Sequence, residues 1–259
     1  MKIDLFVNGG PFPYTFYMSA IPTHTSFAES VHAAWILFQD HFKTFFLLAV
    51  LVDLPLNILI DATTVRNVDW EYMVRLPWDQ WDPLFFVNAG LVGVASLLGM
   101  LVSIAVIIIT QRALRHEATP VGHALGLALP FWPKVLVTTI VSLIIIVGGT
   151  FLLILPGIVL AFLFLFSTYA VVLANRWGLK ALGYSARLVF RHPGVVLIRL
   201  IGLAILIGLP SFAILASAGQ IELYGIPAIG DTLVDIIFMF GTVYLTTLFL
   251  ELEQRMLES

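Results

Sequence analysis

Apolar residues fill this chain in long runs, and the polar positions between them fall in short clusters. The cleanest run is Val135–Leu155, uncharged after Lys134 and followed without a polar loop by Pro156-Gly157 and a second run, Ile158–Ala174. At ~1.5 Å of rise per residue the first run is about long enough to cross a ~30 Å hydrocarbon core. The pair therefore reads as a transmembrane hairpin with a tight Pro-Gly turn at the membrane surface. The same pattern places six spans at about 42–60, 84–109, 135–155, 158–174, 195–218 and 232–250.

Helical periodicity in the polar stretches predicts elements that lie along the membrane. After Ser26, the residues Phe27, Val31, Trp35, Phe38 and Phe42 form one stripe, with Glu29, Gln39 and Asp40 off it. The polar connection 111–133 has a weakly amphipathic centre at His123-Ala-Leu-Gly-Leu-Ala. In Asn175–Pro193, Leu179, Leu182, Ala186 and Val189 make one face, and Lys180, Tyr184, Arg187 and Arg191 make the other. The expected fold is an all-α polytopic membrane protein: a cytoplasmic N-terminal arm, 1–25, then a single six-helix domain, 26–259. It reads as three hairpins, each preceded by an amphipathic interfacial helix. A recurring Leu-Pro (Leu54-Pro55, Leu155-Pro156, Leu209-Pro210) supports a threefold repeat, although its spacing from the preceding Phe38, Phe131 or Phe190 differs: 17, 25 and 20 residues by subtraction.

Composition agrees. Hydrophobic residues make up 60% of the chain, charged residues 11%, and mean hydropathy is +1.01, against about 25% charged in soluble domains. The absence of cysteine excludes disulfides, thiolate metal sites and cysteine nucleophiles. The first 27 residues have no long apolar core and do not read as a cleavable signal peptide. Their Phe6, Phe12, Tyr14, Phe16 and Tyr17 are costly to leave in water and suit an arm that docks on a partner. The loop Asp61–Pro83, with Trp70, Tyr72, Trp78 and Trp81, is expected along the headgroup layer.

Charge sets the orientation. With six spans, one side holds Lys2, Lys43, Arg112, Arg115, Lys134, Arg176, Lys180, Arg187, Arg191 and Arg255, and the other holds Arg66 and Arg75. Ten against two places both termini in the cytoplasm, in a cell inner membrane.

Candidate chemistry is sparse. Asp53 and Asn57, at i and i+4 in span 1, share a helix face beside Pro55. An acid at membrane depth marks a proton or cation site, with Arg199 as a counter-ion; otherwise Asp53 lies near the end of a short span and is hydrated, or is held in a structural polar contact. Arg176, Lys180, Arg187 and Arg191 form a basic patch that serves topology or binds anionic lipids. Ala95, Gly99 and Ser103 recur every four residues, a small-residue stripe for helix packing; Ser96, Ser103 and Thr110 pack or line a pore. His24, His32, His41, His116, His123 and His192 show no metal-ligand spacing. No phosphate loop, nucleophile elbow or nucleic-acid patch is present.

One further pattern is familiar. Leu155-Pro156-Gly157-Ile158, an apolar span, and then Gly178-Leu-Lys-Ala-Leu-x-Tyr-Ser185 leading through Leu188 and Phe190 to another span resembles bacterial membrane proteins related to the membrane domain of glycerophosphoryl diester phosphodiesterase. Trp35-Ile-Leu-Phe38 is similar to the elbow that opens them. The likeness covers residues 30–60 and 150–215, and departs from the family at Asn175-Arg176, where an acidic residue is expected before the glycine. The catalytic domain's metal-binding His and acidic residues have no counterpart, so the resemblance implies a fold and not an activity.

These readings lead to a non-enzymatic membrane protein without a cofactor. Its expected role is a structural or accessory subunit whose partners are the lipid bilayer, anionic lipids and other membrane protein subunits, with no nucleic acid. The alternative is a transporter or lipid-handling protein using the Asp53/Asn57 site and the basic patch.

Overall fold

The computed structural model describes residues 26–64, 75, 81, 83–218, 220 and 225–258. The arm 1–25 and most of the Asp61–Pro83 connection, including Trp70, Tyr72 and Trp78, lie outside the described residues. Among those described, the elements are α1 (Phe27–Asp40), α2 (Phe42–Leu48), a π-helical segment (Ala49–Asp53), α3 (Leu54–Thr63), α4 (Pro83–Ala113), α5 (Val121–Ala128) and α6 (Trp132–Leu152). They continue with α7 (Ile154–Leu163), α8 (Ser167–Ala174), α9 (Leu179–Arg191), α10 (Pro193–Ala218) and α11 (Ile226–Glu258). Six stretches are long and apolar enough to cross a membrane: Phe42–Thr63, Pro83–Ala113, Trp132–Leu152, Ile154–Ala174, Pro193–Ala218 and Ile226–Met256. The chain is an all-α, multi-pass integral membrane protein, and the short helices α1, α5 and α9 each precede a pair of spans.

α11 is the axis of the bundle. α1, α3, α4 and α10 all pack on it, and Val243, Tyr244, Leu248, Phe249 and Leu252 are fully or almost fully buried. Ser26 starts α1 with a capping box: its hydroxyl accepts from the Glu29 N–H at 3.3 Å, and the Glu29 carboxylate accepts from the Ser26 N–H at 2.7 Å. The Ser26 backbone N–H, and then its hydroxyl, hold the Glu29 carboxyl below its ordinary value. The carboxylate half of the cap is therefore at full strength above the ordinary carboxylate pKa and weakens as pH falls through the lowered one, while the Ser26 hydroxyl still accepts the Glu29 N–H. α1 buries Phe38 of the expected stripe together with Ser30 and Ala34; Phe27 and Val31 pack partly against the core, and Trp35 is exposed. The small side chains let its backbone approach α11. Phe38 stacks on Phe45 at 5.1 Å, and both Phe38 and Trp35 meet Phe240 edge-on at 5.7 Å. Its ring at Phe27 fills the space over Gly202, where a Cβ would lie 2.6 Å from the Phe27 Cζ. α1 is thus built into the bundle instead of only resting along it.

The break between the third and fourth spans falls at Leu153 (φ −163°, ψ 144°), not at Pro156-Gly157. Proline is tolerated in the first turn, where its missing N–H has no helical acceptor to leave empty, so Pro156 sits inside the start of α7. Gly157 has a different task, close approach. A Cβ there would lie 2.0 Å from Thr150 Oγ1 and 3.0 Å from Thr150 Cα, and one on Gly149 would lie 2.6 Å from Leu160 Cδ1. Gly157→Ala is expected to cost about 1–3 kcal/mol, read as a lower unfolding midpoint of the purified protein in detergent.

The three Leu-Pro dipeptides occupy three different settings. Leu54-Pro55 opens α3 after the π segment, Leu155-Pro156 lies in the first turn of α7, and Pro210 sits inside the continuous helix α10. They are not equivalent points of one repeated unit.

Candidate functional site

The first span changes its winding at Asp53. Pro55 has no N–H to give to the carbonyl four residues back, and its ring crowds that carbonyl. The chain responds by widening to a π turn over Ala49–Asp53, in which the Leu54 N–H reaches the Ala49 carbonyl. Single π turns inside α-helices concentrate at functional sites, and this one ends at Asp53, which faces α4 and α11.

Asp53 is one wall of a half-open cavity of about 190 Å³ between the helices. α4 supplies Gly99, Val102, Ser103 and Val106, and α11 supplies Asp235, Phe238, Met239 and Thr242. The volume holds several water molecules or a small solute. By subtraction, Asp53 is residue 12 of 22 in its span, Gly99 is 17 of 31 and Met239 is 14 of 31. The cavity therefore lies near the middle of the three spans that line it.

Asn57 is brought to the same place, one helical turn beyond Asp53. Its amide donates to Asp235 Oδ2 at 3.0 Å and to Thr232 Oγ1 at 3.2 Å, tying α3 to α11. A line of carboxylates leads from there to the end of the bundle. Asp231 stands one turn before Asp235 on α11, and Asp61 one turn after Asn57 on α3. Asp61 Oδ2 accepts the Gly225 N–H at 3.0 Å. Asn88 Nδ2 fastens the same end, donating to the Ile60 carbonyl and to the hydroxyls of Thr63 and Thr64 at 3.0–3.2 Å. Toward the C-terminal half of α11 aromatic rings cluster, with Phe166 and Tyr169 within 5.9 and 6.2 Å of Phe249 and Tyr184 at 6.2 Å from it.

Gly99 and Ser103 were expected to seat another helix. Ser103 Oγ donates to the Gly99 carbonyl at 2.9 Å, and a Cβ on Gly99 would meet nothing within 4 Å. Along this part of α4 the small residues leave open space on the cavity wall. Ala95, one turn further on, is half-buried.

Arg199 is not the counter-ion of Asp53. Its guanidinium grips Glu251 through two contacts, Nη1 to Oε2 and Nη2 to Oε1 at 3.2 Å, and Glu251 Oε1 also accepts from Arg255 Nη2 at 2.5 Å. The Arg199 and Glu251 side chains are 6% and 4% exposed. Glu251 belongs to the bundle core, because α11 continues without a break past Leu250 to Glu258. In the second turn of α10, Arg199 meets that extension, whereas Asp53 sits midway along its own span.

The cationic side chains of Arg176, Lys180, Arg187 and Arg191 are exposed on and beside α9. Tyr184, expected among them, turns inward. Its ring packs under the Arg176 guanidinium, 4.5 Å from the centroid, and its hydroxyl donates to Glu253. Burial, and then the Glu253 charge, push the Tyr184 phenol well above its ordinary value, so it stays a proton donor throughout the physiological range. Tyr184→Phe removes that donor from a mostly buried carboxylate and is expected to lower stability by about 1–3 kcal/mol, measured by thermal unfolding at neutral pH. Next to it, Ser185 repairs the gap between α7 and α8: its hydroxyl donates to the Leu163 carbonyl at 2.7 Å and accepts from the Phe166 N–H at 3.0 Å. This gives the Tyr-Ser pair of the sequence motif a structural role.

Sequence reasoning missed Asp235 and Glu251. The signal for Asp235 was present: Asp231 and Asp235 stand at i and i+4 beside or within an apolar run, as Asp53 and Asn57 do. Of the histidines, His123 Nε2 lies 2.9 Å from Arg112 Nη1, and His41 Nδ1 is 3.2 Å from the Leu37 carbonyl. Among the described residues no group of three His, Asp or Glu side chains is placed to hold a metal ion. Comparison with protein-family models, with curated proteins and with solved structures returns no match for this chain.

Proposed function

We propose that this protein is a non-enzymatic carrier in which Asp53 and Asp235 bind a proton or another small monovalent cation at the bilayer midplane. One observation carries the reading: two acids from different spans share the wall of a cavity, beside a π turn and midway along the helices that line it. Ionised side chains at this depth are expensive, and the usual reason to keep them is an ion or proton pathway. Interrupted helices that meet at the midplane are the common construction of secondary-transporter sites. Two carboxylates without a third metal-competent group suit a proton or a monovalent cation better than a divalent metal. Asp61 and Asp231 provide the approach, and the ring cluster around Phe249 provides the seal. With the basic end of the bundle in the cytoplasm of the cell membrane, the acid line opens outward.

The role of accessory subunit rests on the aromatic arm, which lies outside the described residues, and on a packing stripe whose Gly99 and Ser103 face open space; the carrier reading takes precedence. The test is flux in proteoliposomes under imposed proton, sodium and potassium gradients. Wild-type vesicles are expected to exceed empty vesicles for one of these ions, and Asp53→Asn to fall to background while remaining folded. Flux in Asp53→Asn equal to wild type overturns the proposal.

A further inference from the structure

The long middle of the chain, from Ala118 to Ile221, contains no acidic residue, yet it carries Lys134, Arg176, Lys180, Arg187, Arg191 and Arg199. All of these except the core residue Arg199 gather at one corner of the fold. Arg176 and Lys180 flank the entry to α9, Arg187 and Arg191 follow along it, and Lys134 reaches the corner from α6, its Nζ 3.2 Å from Asn175 Oδ1. The sharp turn that presents Arg176 is fixed by left-handed backbone at Asn175 (φ 47°) and Gly178 (φ 60°), with the Gly178 N–H held by Thr138 Oγ1 at 2.8 Å. Arg176 is further braced on the Tyr184 ring, which Glu253 pins from below.

This corner has a second property. Trp177, Leu179 and Phe190 project among the cations as exposed large apolar side chains. A face that combines fixed guanidiniums with exposed apolar groups, and continues directly into the lipid-facing surface of α10, complements a molecule with a negative phosphodiester on one side and acyl chains on the other. Orientation alone needs positive charge, but it needs no braced arginine and no apolar projections beside it. We propose that this corner binds the headgroup of an anionic phospholipid, with Arg176, Lys180 and Arg187 on the phosphate and Trp177 and Leu179 against the glycerol and upper acyl region. The assignment does not depend on the carrier reading.

The test uses the full chain reconstituted in phosphatidylcholine vesicles and measures association of spin-labelled phosphatidylglycerol against spin-labelled phosphatidylcholine. Wild type is expected to prefer the anionic lipid about fivefold or more at low salt and to lose most of that preference at 0.5 M salt, at about the scale expected for basic residues near a surface. The triple variant Arg176→Gln, Lys180→Gln, Arg187→Gln should show no preference, and Arg176→Lys, Arg187→Lys should retain part of it. Wild type without selectivity overturns the proposal, and that result requires no variant to fold. Selectivity unchanged in the triple variant overturns it too. So does displacement of the lipid by millimolar inorganic phosphate, which marks a free-anion site, or by a polyglutamate peptide, which marks a protein-docking surface.

Discussion

Asp235→Asn is expected to reduce ion flux at least tenfold, a loss of about 1.4 kcal/mol or more, while thermal stability stays level or rises. The two halves of this prediction have one cause. A carboxylate at the midplane costs desolvation energy that an amide of the same shape does not, so removing the charge relieves the fold. The same step removes the group that binds the transported cation. Asp235 joins three features: it lines the cavity, accepts the Asn57 amide at 3.0 Å, and stands one helical turn from Asp231 on α11. A purely structural Asp235 would behave in the opposite way. Losing it would weaken the α3–α11 tie through Asn57 and lower the unfolding midpoint with no selective effect on flux. Measuring both quantities on one preparation separates the two, since residues kept for function are commonly ones the fold is more stable without.

The largest stability effect is expected at Glu251. Glu251→Gln takes the carboxylate away from two guanidiniums, one of them almost fully buried. Breaking a buried pair from one side typically costs about 3–5 kcal/mol, because the charge that stays behind has lost its compensation. Arg199→Met combined with Glu251→Leu is expected to recover most of the loss, as apolar replacements of both partners often do. The readout is the unfolding midpoint in a series of harsher detergents. If Glu251→Gln unfolds like wild type, the cluster is not a clasp between α10 and α11.

What the sequence revealed, and what it hid, divides along physical lines. Apolar run length is a local quantity, so the six spans can be placed from 42–60 and its companions to within a few residues, apart from longer ends on spans 2 and 6. The register of polar contacts is not local. Asn57 meets Asp235 across a separation of 178 residues, and Arg199 meets Glu251 across 52, and no periodicity encodes either pairing. The π turn at Asp53 is equally silent: Pro55 announces a disturbance, but kinking, breaking and widening are all responses to it. At α9 the period correctly placed the cations outward and misplaced Tyr184, because a tyrosine satisfies a buried carboxylate with its hydroxyl while its ring fills the core. The Pro-Gly break failed for a simpler reason. Proline and glycine usually mark turns, but here Pro156 lies in a first helical turn and Gly157 is required for contact with Thr150.

Water and cations are expected to reach the Asp53/Asp235 cavity, and the chain offers a direct way to measure it because it contains no cysteine. Ser103→Cys and Thr242→Cys place single thiols on the cavity wall, and Leu143→Cys and Ile144→Cys place them on the outer, lipid-facing surface of α6. The rates to compare are those of a small cationic and a small anionic methanethiosulfonate reagent in reconstituted vesicles. Both cavity thiols are expected to react, the cationic reagent roughly tenfold faster than the anionic one; Asp235→Asn should reduce this preference, and the outer thiols should stay unmodified. Cavity thiols as inert as the outer ones, or modified at equal rates by both reagents, would contradict cation access to the cavity.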